Sequence, residues 1–106
     1  MSYRHMRMIL FFDLPTVTQQ DKREYLRFRK FLITEGFIMM QESVYTKIVL
    51  NGTASNLMRN KVKKNKPKGG LVQVLIITEK QFSSMEYVCG EAQNVIVEST
   101  KRLIIL

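Results

Sequence analysis

The chain has 106 residues and a mass of 12.5 kDa, enough for one domain with one ordinary core, which the 45% hydrophobic content can fill. A single cysteine, Cys89, excludes an internal disulfide and a cysteine-based zinc cluster, and no apolar run approaches the roughly 20 residues of a membrane span. Seventeen Lys and Arg against nine Asp and Glu give a net charge of +8, which on a small domain points to a polyanionic partner, nucleic acid being the usual one. A merely solubilising surface charge is the competing explanation.

The charge is lopsided. Residues 1–70 hold fourteen bases and five acids, whereas residues 71–106 hold three bases and four acids. The opening apolar stretch is short and ends in Asp13, unlike a signal peptide, so the expected location is the cytoplasm.

Residues 7–12 form a continuous apolar run closed by Asp13-Leu14-Pro15, which predicts a central strand buried on both faces. Thr18 is a candidate N-cap for a helix over 21–35, with Tyr25, Phe28, Phe31 and Leu32 on one face and Arg23, Arg27 and Lys30 on the other. Gly36 is its stop signal. Arg29 falls inside the apolar arc, so it must snorkel, find an acid or face a partner.

Residues 37–40 and 44–50 read as strands around Gln41-Glu42-Ser43, a tight hairpin or a bulge. Asn51-Gly52 is a turn signal. Beyond it Ala54, Leu57, Met58, Lys61 and Val62 mark the stripe of a second helix, which Pro67 forbids from continuing. Leu71–Thr78 is the clearest strand of all.

The resulting order, strand-helix-strand-strand-helix-strand, is the α+β ferredoxin-like βαββαβ arrangement: an antiparallel sheet with both helices on one face. Residues 1–78 make this core. Residues 79–106 are an extension in which 79–85 suit a helical turn, 87–89 a short strand and 103–106 a last strand. The apolar end Leu103, Ile104, Ile105 and Leu106 invites edge pairing, either with the protein's own sheet or with a partner.

Several segments resemble one family. The run Met8-Ile9-Leu10-Phe11-Phe12-Asp13-Leu14-Pro15, the helix over 23–35 leading into Gly36-Phe37, and the corner Gln41-Glu42-Ser43-Val44-Tyr45 are similar to the small CRISPR-associated adaptation protein that partners the CRISPR integrase. Thr78-Glu79-Lys80-Gln81-Phe82 and the apolar tail resemble its subgroup in systems with a large RNA-guided DNA endonuclease (type II). The resemblance implies a homodimer of ferredoxin-like protomers between two integrase dimers, supporting a short DNA duplex, the spacer precursor. It also implies, for some members, a magnesium-dependent endonuclease acting on RNA or DNA, with the aspartate that ends the first strand as metal ligand. Here that residue is Asp13.

Weighed on its own, Asp13 is a single carboxylate, whereas magnesium sites use one or two carboxylates with waters and substrate phosphate. A twofold axis that paired two Asp13 side chains would make a better Mg²⁺ site; an aspartate opening the turn before Leu14-Pro15 needs no metal. His5 is the sole histidine, and no serine or cysteine has a base partner in the sequence. Cys89 reads as a small buried hydrophobe, and Ser43 as a hydroxyl satisfying a bulge.

The basic groups carry more. Arg23, Arg27 and Lys30 share a helical face, and Arg59, Lys61, Lys63, Lys64, Lys66 and Lys68 cluster at the second helix's end, where the plainer explanation is a solvated loop. Lysine is a flexible point charge suited to phosphate, so contacts to the duplex backbone without sequence reading are expected. With no Trp, and with the six Phe and four Tyr mostly at core spacing, stacking on single strands is disfavoured. With what the resemblance implies, three functions stand: a non-catalytic double-stranded DNA scaffold of spacer acquisition, with the extension 79–106, ending in the apolar residues 103–106, making dimer and integrase contacts; a metal-dependent endonuclease built on an Asp13 pair; and a CRISPR-unrelated, toxin-like ribonuclease of the same fold.

Overall fold

The computed structural model describes residues 5–91. Its elements run β1 (Met6–Asp13), α1 (Gln19–Thr34), β2 (Ile38–Gln41), β3 (Val44–Val49), α2 (Gly52–Lys64), β4 (Leu71–Thr78) and α3 (Glu79–Ser83). The four strands form one sheet in the order β2-β3-β1-β4, every neighbouring pair antiparallel. This is the expected α+β ferredoxin-like arrangement. The expected strand over 103–106 lies outside the described residues.

The pleat of β1 divides the molecule. Met8, Leu10 and Phe12 point to one face and are buried with Phe28 and Leu32 of α1, Tyr45 and Val49 of β3, and Met58 and Val62 of α2. Phe12 is the hub, with ring centroids 5.6 Å from Phe28, 5.7 Å from Tyr45 and 6.1 Å from Tyr25. On the other face Ile9 is buried, but Arg7 and Phe11 are half-buried and Asp13 is exposed. Two-sided burial of β1 is therefore confined to its middle, because both long helices cover the same face.

Local chemistry sets the ends of α1. The Thr18 hydroxyl accepts from the Asp21 amide at 3.0 Å while the Asp21 carboxylate accepts from the Thr18 amide, a complete capping box. At the other end the Gly36 amide donates to the Ile33 carbonyl and the Phe37 amide to the Leu32 carbonyl, a Schellman closure. It requires Gly36 at φ +94°, and it turns Phe37 into the core. Glu42 and Ser43 form a two-residue turn, and the register shift between Met39 and Gln41 is the bulge beside it. Ser43 serves there through its carbonyl, which accepts from the Phe12 amide at 3.0 Å.

Three expectations are corrected. In α2 the buried stripe is Ser55, Met58 and Val62, and Leu57 faces outward. The helix phase follows its cap: Asn51, expected as a turn residue, accepts from the Ala54 amide at 2.7 Å and starts the helix one residue on. Residues 87–89 form no strand but bend toward Gly90, which adopts φ +81°. Cys89, on that bend, is an exposed free thiol and not a buried hydrophobe.

Candidate nucleic-acid interface

Arg23, Arg27 and Lys30 project from the solvent side of α1, as their spacing predicts. Arg27 does more than display charge. Its Nη2 lies 3.2 Å from Glu24 Oε1, 3.1 Å from the Asn65 carbonyl and 3.2 Å from the Lys66 carbonyl, which clips the segment after α2 onto α1. Glu24 completes the junction by accepting from the Lys68 amide at 3.3 Å. The Arg27 guanidinium beside Glu24 holds that carboxyl below its usual range, the Lys68 amide helping, while desolvation opposes both.

This junction joins two groups of cations that lie far apart in sequence. Lys63, Lys64, Lys66 and Lys68 are exposed around it, and buried Pro67 anchors the loop between them. The exposed face of α1 and the lysine segment thus form one basic strip on the helical side of the molecule. Two predicted members are partly engaged: Lys61 Nζ meets Glu35 Oε1 at 3.0 Å, and Arg59 bonds Asn56. Sequence reasoning missed Glu24, although its i,i+3 spacing to Arg27 was a usable signal.

Arg29 resolves as a snorkelling residue. Its Nε donates to the Tyr45 hydroxyl at 3.1 Å, so the ring of Tyr45 is buried while its polar end is satisfied. Burial raises the Tyr45 phenol above its ordinary value, and Arg29 opposes that rise.

The sheet's other face is apolar and largely uncovered, with Ile38, Ile48, Leu71 and Leu75 each about half exposed. At one end α3 packs across it. Arg7 is held there by Glu79 (Nε to Oε1 3.0 Å) and by Thr46 Oγ1 at 3.0 Å, and its guanidinium lies 4.2 Å over the Phe82 ring. Arg7 is therefore a structural cation, and His5 joins the same corner through its carbonyl, which accepts from the Glu79 amide at 3.0 Å.

Asp13 stands at the opposite end of that face, exposed, beside the start of β4. Gly70 makes the approach possible: at φ +90°, a Cβ there would lie 2.7 Å from the Asp13 carbonyl oxygen. Among the described residues no group of three or more His, Cys, Asp or Glu is placed to hold a metal ion. Within one protomer's described residues Asp13 would therefore be the single protein carboxylate for a cation there, with waters and substrate phosphate supplying the rest. The predicted partner residues Leu103, Ile104, Ile105 and Leu106 lie outside the described residues.

The fold and this charge distribution define a small ferredoxin-like protein with a basic helical side and an apolar open sheet. Residues 6–85 match the family described as CRISPR associated protein Cas2. The chain is 48% identical over 101 residues to a protein of Treponema denticola, covering 95% of this chain and 100% of the relative. It is 50% identical over 101 residues to one of Streptococcus mutans serotype c (95% and 93% covered), and 41% identical over 101 residues to one of Ligilactobacillus salivarius (95% and 100%). All three relatives carry the name CRISPR-associated endoribonuclease Cas2. The chain belongs to the Cas2 family, which sets aside the CRISPR-unrelated ribonuclease. No helix among the described residues is long and apolar enough to cross a membrane.

Proposed function

We propose that the protein is a homodimeric scaffold of CRISPR spacer acquisition that grips double-stranded DNA by its backbone and bridges two integrase dimers. The observation that carries the proposal is the junction at Arg27, which merges the α1 cations with the lysine segment into one strip suited to a line of phosphates. The open apolar sheet supports the homodimer, since a surface of half-exposed Ile and Leu side chains gains free energy when a second copy covers it. Doubling +8 gives +16 for such a dimer, enough for contacts over more than one helical turn of DNA. Residues 103–106 are proposed to dock the integrase.

A second reading is favoured by the relatives' name and by the position of Asp13. A twofold axis passing close to Asp13 at its end of the open sheet face would bring two exposed Asp13 carboxylates together, and two such anions tolerate closeness only with a cation between them. The discriminating experiment incubates the protein and Asp13→Ala with duplex DNA and with RNA, with and without Mg²⁺. A scaffold predicts equal duplex binding by both proteins and no product from either. Magnesium-dependent cleavage that disappears in Asp13→Ala, with binding retained, would establish the endonuclease instead.

A further inference from the structure

Leu57 is the feature that neither the core nor the basic strip absorbs. It sits on α2 with 62% of its surface exposed, and Leu50, just past β3, is 58% exposed beside it. Together with Met58 they floor a groove of about 700 Å³ between the end of β3 and α2. Lys47, Lys61 and Lys64 stand at its rim, and none of the residues lining it is acidic. Among the described residues neither Lys47 nor Lys64 has a salt-bridge partner, while Lys61 is shared with Glu35.

We infer that this groove is a docking site for an amphipathic helix of a partner protein, one carrying acidic residues along the edges of its apolar stripe. The occupant follows from charge and shape. An apolar floor takes side chains at i, i+4 and i+7 of a helix, and the lysine rim selects acids flanking them. A DNA duplex has nothing to place on Leu50 and Leu57, and the groove's lining contains no aromatic ring on which a base would stack. A second copy of this chain would set the lysine rim against its own twofold mate, a like-charge contact. Residues 92–106 contain two bases and one acid, so the chain's own C-terminal segment lacks the complementary sign. The inference is independent of whether the protein cuts nucleic acid or only holds it.

The test uses the full-length, ¹⁵N-labelled protein and a synthetic helical peptide about two heptads long, with Leu on one stripe and Glu on its flanks. The expected result is amide shifts centred on Leu50, Leu57 and Lys64, with binding weakened at least about tenfold in Leu57→Asp and also weakened in Lys64→Glu. Peptides with Lys in place of Glu, or Ser in place of Leu, should bind correspondingly less. Leu57→Ala, which adds no charge beside Lys61 and Lys64 and keeps a strong helix former, should also weaken the peptide while leaving duplex affinity and the fold intact, because the side chain is outside the core. Shifts on another face, no shifts at all, or equal binding by Leu57→Asp would overturn the inference. So would displacement of the probe by a peptide of residues 92–106, which would give the groove to the chain's own tail. Loss of self-association in Leu57→Asp by sedimentation would give the groove to a second copy and overturn the inference equally.

Discussion

Arg27→Ala separates the structural role of that side chain from its charge. The Nη2 group has two protons and three acceptors within reach, Glu24 Oε1 and the carbonyls of Asn65 and Lys66, so about two hydrogen bonds are made at once. The Arg27 side chain is 43% exposed, which reduces each charge-assisted bond to about 0.5–1 kcal/mol. Their loss predicts a destabilisation of about 1–2 kcal/mol, or a fall in Tm of about 4–16 °C for a domain of this size. Arg23→Ala removes the same charge one turn earlier, and there the expected change is within about 0.5 kcal/mol. Calorimetric melting of both variants checks the difference, and amide exchange at residues 65–68 should rise only in Arg27→Ala. Equal Tm values for the two variants, or an unchanged exchange pattern, would refute the account of the junction.

Gly70→Ala should destabilise the fold by about 2–3 kcal/mol in denaturant titration, because φ is +90° and the new Cβ meets the backbone carbonyl of Asp13, which cannot yield. Tyr45→Phe removes the acceptor of Arg29 and should cost about 1 kcal/mol at neutral pH. The raised phenol pKa means the folded state holds its proton more tightly than the unfolded chain. Its contribution is complete below the ordinary tyrosine value and is lost as pH rises through the folded value, so Tyr45→Phe should flatten the alkaline limb of stability against pH. Glu24 has the opposite sign. Its lowered pKa contributes above the ordinary glutamate value and fades as pH falls through the folded one, so Glu24→Gln should flatten the acid limb.

How much of this is legible in the sequence depends on whether the signal is local. The bounds of β4 and the caps of α1 follow from alternation, Thr18 and Gly36, each of which acts within a few residues of itself. The stripe of α2 is misphased by counting apolar residues, which favours Leu57 over Ser55, although the cap at Asn51 and the packing against the sheet decide which of them turns inward. Cys89 reads as buried beside Tyr87 and Val88, yet the bend toward Gly90 carries all three residues into exposed positions. At the candidate site, the positive charges are plain in the composition. That Arg27 grips two carbonyls nearly forty positions away is not, because no spacing rule links a helix face to a loop across the fold. The uncovered sheet face and the exposure of Asp13 follow from the predicted placement of both helices on one side, but the apolar run of β1, read as buried on both faces, pointed the other way.

The most direct test of the central claim is the salt dependence of duplex affinity for the wild-type protein and for Arg23→Ala/Lys30→Ala/Lys66→Ala. If half of the sixteen net charges of the proposed dimer meet phosphates, the log–log slope is about −7, and each contact removed should flatten it by about 0.9. The account predicts the same loss of affinity on every duplex sequence. A slope unchanged in the variant, or a loss confined to one sequence, would contradict it.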